Sequence, residues 1–216
     1  MVYVKWVFTI TFWVLSGSVL HYTLPKHDVV YVTGVEIKME QFGENSIFWA
    51  APDTGANITE GVVKRDVRFI DTVQVNERVK VYRNEDTGWG WPPYFKLDSS
   101  NLQAEARKLT STESAPNWVV IRYYGWRFSA WSIYPNAVAV KAVDGPDYSV
   151  INWFNILFLT MLAALFWAIY VRWRRFRRAR IDPVLEDMED SLYAAGDAIS
   201  EKRSGMRRWL DSWKKK

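Results

Sequence analysis

At 216 residues, with a net charge of +4 and no cysteine, the chain has room for one ordinary domain plus attachments, and none for thiol catalysis, disulfides or cysteine-based metal sites. The charge is segregated: residues 26–147 carry 14 basic and 16 acidic side chains, whereas residues 172–216 carry 13 basic and 8 acidic. A nucleic-acid binder gathers positive charge on its folded domain, but here the excess flanks an apolar run, so it is a topology signal and no nucleic-acid partner is expected.

The first predicted element is an uncharged run over residues 6–25, preceded by Lys5. As a helix it measures about 30 Å, the thickness of a bilayer's hydrocarbon layer. Trp6 and Tyr22 stand near its ends, where interfacial aromatics belong. A cleaved signal peptide is the competing reading, with Ser16, Gly17 and Ser18 as the small-residue site. The length of the run and its Trp and Phe content favour a retained span.

Residues 26–147 alternate mostly with period two, which predicts an all-β domain, a small barrel or sandwich, containing one short helix. The clearest strand places Val67, Phe69, Asp71, Val73 and Val75 on the expected buried face, opposite Arg68, Ile70, Thr72 and Gln74. Further strand patterns cover 35–39, 79–82, 118–124 and 137–143. Gly34 marks a bulge or bend, and Asn76-Glu77 fits a hairpin turn. Ser100 and Gln103 have capping-box spacing ahead of a helix over 101–109, with Leu102, Ala106 and Leu109 on its packing face.

Several side chains in this region are candidates for chemistry. Asp71 on an apolar face is either an acid with a raised pKa or, as buried charges usually require, the partner of an arginine such as Arg68 or Arg83. No second carboxylate is placed beside it, so glycosidase logic lacks its other half. His21 and His27 stand six apart across a proline, a poor metal pair, and read as interfacial polar residues. In the loop ahead of Phe95, Trp89, Trp91 and Tyr94 offer a stacking platform for a sugar or peptide, or else a cover for an open sheet end. Trp126, Phe128 and Trp131 form a second aromatic loop suited to lipid headgroups. Asn57, Ile58 and Thr59 match a glycosylation acceptor, a pattern too common by chance to carry weight. No phosphate-binding glycine loop or Ser/His/Asp arrangement is present, so no cofactor and no enzymatic activity are expected.

A second uncharged run, residues 148–171, would span about 36 Å as a helix. Arg172, Arg174, Arg175, Arg177, Arg178 and Arg180 follow it and mark the cytoplasmic side. Two spans put both termini there, Lys5 agreeing, and residues 26–147 outside. The linkers are short, so the outer domain should lie close to the bilayer. The tail, 172–216, is predicted as cytoplasmic and, after Pro183, as an amphipathic helix. Its stripe runs through Leu185, Met188, Leu192, Ala195 and Ile199 and resumes at Met206, Trp209 and Trp213. Residues 183–213 thus suit a coiled coil with a protein partner or a second copy, with lipid contact toward the end.

Long segments of the chain resemble a bacterial family of membrane proteins catalogued as domain of unknown function fifteen twenty-three. They include His21–Val30, Val81–Gly88, Trp91–Lys96, Leu102–Glu105, Tyr124–Arg127, Ser132–Asn136 and Trp153–Asn155. The resemblance implies a bacterial inner-membrane location and transfers no catalytic residue. The expected function is that of a non-enzymatic inner-membrane protein whose periplasmic domain binds a partner or organises the envelope. A small-ligand or glycan sensor using the aromatic loop is the alternative, followed by an envelope hydrolase around Asp71 or Glu85.

Overall fold

The structure, a computed structural model, describes residues 2–41, 57–59 and 62–213. The chain divides into two compact units, Met1–Asn155 and Ile156–Lys216. In the first, helix α1 (Val2–Thr23) leads into the strands β1 (Lys26–Gln41), β2 (Asn57–Thr59), β3 (Val62–Gln74) and β4 (Val79–Asn84). Helix α2 (Ser99–Lys108), β5 (Trp118–Tyr124) and β6 (Asn136–Ala142) follow.

The strands close into a five-stranded barrel, the alternative of a sandwich being set aside by the pairing. β1 is long enough to serve two neighbours. Lys26 to Tyr31 face β5, and from Val30 onward the other edge faces β3. β3 pairs with β4 and β5 with β6, all antiparallel, and β2 extends β3 beyond the barrel. The ring closes where β4 and β6 meet in parallel at Arg83 and Asn136. That seam is short, so side chains reinforce it: the Arg83 amide donates to Pro135 O (3.0 Å), and the Asn136 amide group bonds both the N–H and the C=O of Glu85 (2.9 and 3.0 Å).

Val30, Val32, Ile70, Val119, Ile121 and Val140 fill the interior. Burying each large aliphatic chain contributes about 1.5–3 kcal/mol relative to exposure. Helix α2 lies across β1, β3, β4 and β6, adding Leu102 and Ala106 to the same core, with Leu109 packed beside it. Its N-cap is Asp98, whose carboxylate accepts from the Asn101 N–H at 2.9 Å. The expected cap, Ser100, instead meets Arg68 (3.2 Å), as Ser99 does (3.1 Å).

β1 follows its sequence pattern and β3 departs from its own. Gly34 does mark a bulge, for the β1–β3 register shifts between Val32 and Gly34. The inward face of β3 is the other one. Ile70 and Thr72 point into the barrel, while Phe69 is buried on the outside beneath Tyr134, ring centroids 5.2 Å apart. Asp71 therefore stands on the outer face, beside Gly34 and near Glu36 and Lys38. Its pairing with Arg68 or Arg83 is not formed: Arg68 binds serines and Arg83 binds Glu85.

Helix α3 (Trp153–Phe176) starts five residues beyond the start of the apolar run, after a turn in which the Tyr148 amide meets Gly145 O. A π turn at Arg177–Ile181 joins it to α4 (Asp182–Trp213), so the chain stays helical through Pro183. Proline lacks an N–H and its ring crowds the carbonyl four residues back; the wider π turn, closed by the Asp182 amide on Arg177 O, relieves both. α1 and the helix beginning at Trp153 are each long and apolar enough to cross a membrane. The side chains of Ala195, Ile199, Met206, Trp209 and Trp213 lie outside the described set, as do those of Asn57 to Thr59.

A candidate anion cleft at the end of the first helix

A helix ends with carbonyls that have no partner in the helix. At the end of α1 the barrel supplies those partners. The Gly125 amide donates to Tyr22 O (2.8 Å), and the Tyr94 hydroxyl to Thr23 O (2.6 Å). Just beyond, Pro25 O accepts from the side chains of Asn152 (2.6 Å) and Asn155 (2.9 Å). Rings complete the joint: Tyr94 stacks on Tyr124 at 4.6 Å, and Tyr22 meets Tyr124 and Trp126 edge to face. Gly125 holds φ +91°, a conformation that side chains rarely adopt, and Pro135 and Tyr22 lie at ordinary contact distance from where a Cβ would stand.

Beside this joint opens a cleft of about 570 Å³, lined by aromatics (Tyr123, Trp126, Phe128, Trp131) and by His21, Lys26, Lys80 and Arg127. The hairpin Phe128–Ile133 forms one wall, its ends joined by reciprocal backbone bonds of 3.1 and 3.0 Å. Arg127 lies over the Tyr134 ring at 4.2 Å and donates to Ile133 O at 3.1 Å. Lys26 donates to Gly125 O at 3.2 Å, and burial together with nearby Lys80 holds its pKa below the usual lysine range. His21 accepts from the Trp126 indole through Nδ1 at 2.8 Å, which leaves Nε2 to carry the proton of the neutral ring.

The interior end of the barrel beneath Lys80 is polar. The Asp28 carboxylate accepts from Lys80 (2.6 Å), Tyr82 (2.5 Å), Tyr123 (3.2 Å) and Gln74 (3.3 Å), and Lys80 also donates to Tyr123 (3.0 Å). Burial, followed by the adjacent Asp28 charge, pushes both tyrosine hydroxyls above their ordinary range. This network fixes the Lys80 ammonium at the cleft floor.

A second polar cluster is largely buried. Lys96 donates to Asn84 and to Ala137 O (2.7 Å), and desolvation pushes its pKa down to about 7. Asn84 in turn donates to Ser99 O and Gln103, each at 2.8 Å, and Gln103 to Phe69 O (3.2 Å). Asp86 accepts from the Ser99 amide (2.7 Å) and hydroxyl (3.0 Å). Arg83 and Glu85 form a buried ion pair at 3.1 Å. The cluster ties the loop after β4, the start of α2 and the start of β6 into one block.

The aromatic candidates separate into two groups. Trp126 and Trp131 line the cleft. Tyr94 turns onto Tyr124, Trp89 meets Phe95 edge to face at 5.3 Å, and Trp91, before a cis bond to Pro92, is exposed. His27 is half-buried on β1 opposite Arg122, and burial, then that arginine, lower its pKa. Arg172, Arg174, Arg175, Arg177, Arg178 and Arg180 fall on the exposed end of α3 and the π turn. Glu85 is paired inside and Asp71 lies outside on β3. Burial, then Glu36, raises the Asp71 pKa.

Comparison with known proteins gives a family model, described as "Protein of unknown function (DUF1523)", that matches residues 1–177. The chain belongs to that family. A protein of Haemophilus influenzae, described as an uncharacterized protein, is 41% identical over 156 residues, which is 70% of this chain and 82% of its own length. No solved structure matches.

The segments that carried the resemblance to this family have structural work visible in the fold. Val81–Gly88, Trp91–Lys96 and Ser132–Asn136 supply the Lys96 cluster and the β4–β6 seam. His21–Val30, Tyr124–Arg127 and Trp153–Asn155 supply the helix–barrel joint and the cleft. Sequence reasoning passed over Lys26, Asp28, Lys80 and Lys96. Lys80 and Asp28 carried a signal in hindsight, each being a charge in step with inward apolar residues of its strand (Tyr82; Val30 and Val32).

Proposed function

We propose that the protein is a two-pass inner-membrane protein of the bacterial envelope, whose barrel is a non-catalytic binding module held on the periplasmic membrane surface. Both termini are cytoplasmic in this reading. Support for the topology comes from α1, apolar on every side and exposed from Tyr3 to Leu15, and from the six arginines that follow the second apolar run. The observation that carries the binding role is the joint. By bonding the last carbonyls of α1, the barrel places its cationic, aromatic cleft at the very end of the helix, where a spanning segment meets water. A partner contact through residues 183–213 belongs to the same reading, since Leu185, Met188 and Leu192 form an exposed apolar stripe on α4.

The absence of cysteine makes the topology directly testable. Single replacements Glu105→Cys on α2 and Glu186→Cys on α4 are both at exposed positions. In intact spheroplasts a membrane-impermeant maleimide should label the first and spare the second until the membrane is opened. Labelling of Glu186→Cys in intact cells, or protection of Glu105→Cys, overturns the proposal.

A further inference from the structure

We infer that the cleft at the end of α1 is a site for the phosphate of an anionic phospholipid, and this rests on the topology proposed above. The polar groups lining it are cationic or proton-donating. Lys26 and Lys80 keep N–H groups unspent after their bonds to Gly125 O, Asp28 and Tyr123, as Arg127 does after its bond to Ile133 O. His21 has its acceptor nitrogen occupied by Trp126. Such a set welcomes an anion and offers little to a cation. Asp28, the nearby carboxylate, is already bound by four donors and sits under Lys80 rather than among the lining groups.

A free phosphate would be served by the cations alone, but most of the cleft wall is apolar. Trp126, Phe128 and Trp131 border it, and Phe128 and Trp131 are about half exposed (48% and 59%) although packed on one another at 5.4 Å. The other side is the last turn of α1 at His21, and the helix face in line with His21 runs away from the cleft through Gly17 and the exposed Val14 and Ile10. A diacyl lipid fits both features: its phosphate meets Lys26, Lys80 and Arg127 while its chains follow the helix. Bonds from Lys26 to Gly125 O, from Lys80 to Asp28 and Tyr123, and from Arg127 to Ile133 O hold these cations in place before any lipid arrives, so little ordering is needed on binding.

The test offers the full-length protein in neutral detergent equal amounts of phosphatidylglycerol and phosphatidylcholine and reads retained lipid by native mass spectrometry. Phosphatidylglycerol should be retained preferentially, and the double change Lys26→Gln with Arg127→Gln should weaken that preference about tenfold to a hundredfold, as loss of charged hydrogen bonds predicts. The charge-keeping pair Lys26→Arg with Arg127→Lys should preserve it. In the unaltered protein about 0.5 M salt should erase the preference, a result that depends on no variant folding correctly. Equal retention of the two lipids overturns the inference, as does a preference unchanged in the glutamine variant or indifferent to salt. Inorganic phosphate in millimolar excess is the remaining arm. If it binds alone, seen as a change in tryptophan fluorescence, and displaces the lipid, the site is one for soluble phosphate and the lipid assignment fails. A wrong topology would appear in the maleimide labelling, whereas failure here leaves that labelling unchanged.

Discussion

Lys96 shows how one residue sets a pH response. Its ammonium lies inside the protein with two acceptors, Asn84 and Ala137 O, and with no carboxylate directly bonded among the described residues. An unfolded lysine titrates near about 10.4, and burial in the fold brings Lys96 down to about 7. Between these values the unfolded chain binds the extra proton, so stability climbs as pH rises from 7 toward 10. Below 7 the residue is charged in both states and the cost of burying the charge is fully present. Tyr82, Tyr94 and Tyr123 act in the opposite sense at higher pH, because their raised pKa values let the unfolded chain lose protons first. The thermal midpoint of the detergent-solubilised protein should therefore rise between pH 7 and 9, by roughly 5 °C, and turn down above 10. In Lys96→Met the rise should be largely gone. A variant that keeps the full rise would assign it to other groups, Lys26 first among them, since burial lowers its pKa too.

Helix α2 and strand β3 illustrate what a pattern can and cannot carry at the level of an element. Asp98 caps α2 through the Asn101 amide, so Asp98→Ala should cost about 1 kcal/mol. Among the described residues the Ser100 side chain makes a surface bond to Arg68 alone, and Ser100→Ala should shift stability by no more than about 0.5 kcal/mol. Equal losses in thermal or urea unfolding would restore Ser100 as the cap. The packing face of α2 was legible because Leu102, Ala106 and Leu109 sit on one helical stripe, whichever residue begins the helix. β3 misled because period two reports two faces without saying which one is inside. Phe69 is covered from outside by Tyr134, a residue 65 positions away in the chain, so the outer face also looks apolar. The inner face looked polar because Thr72 satisfies itself on Lys80 O (2.7 Å) and Gln74 joins the Asp28 network. The cleft was equally illegible: Lys26, Lys80 and Arg127 come together only through barrel closure, and the seam that closes it is one parallel pair at Arg83 and Asn136.

At the scale of the first unit, the joint makes barrel and helix end behave as one body, and this has a measurable consequence. Tyr94 contributes twice, through its ring against Tyr124 and its hydroxyl on Thr23 O. A stacked aromatic pair and a buried hydrogen bond are together worth about 1–3 kcal/mol. The barrel core does not depend on Tyr94, since its interior is built by β1, β3, β4, β5, β6 and α2. Tyr94→Ala should thus loosen the joint while leaving the barrel folded. The Gly125 amide reports this directly, because its acceptor is Tyr22 O on α1. Its hydrogen exchange should accelerate about tenfold or more in the variant, while amides between β1 and β5 keep their protection. The accompanying loss of α1 from its fixed position opens the cleft wall at His21, so anion retention should fall in parallel. Unchanged exchange at Gly125 would mean that the Tyr22 and Trp126 contacts hold the helix unaided, and that Tyr94 merely fills space against Tyr124.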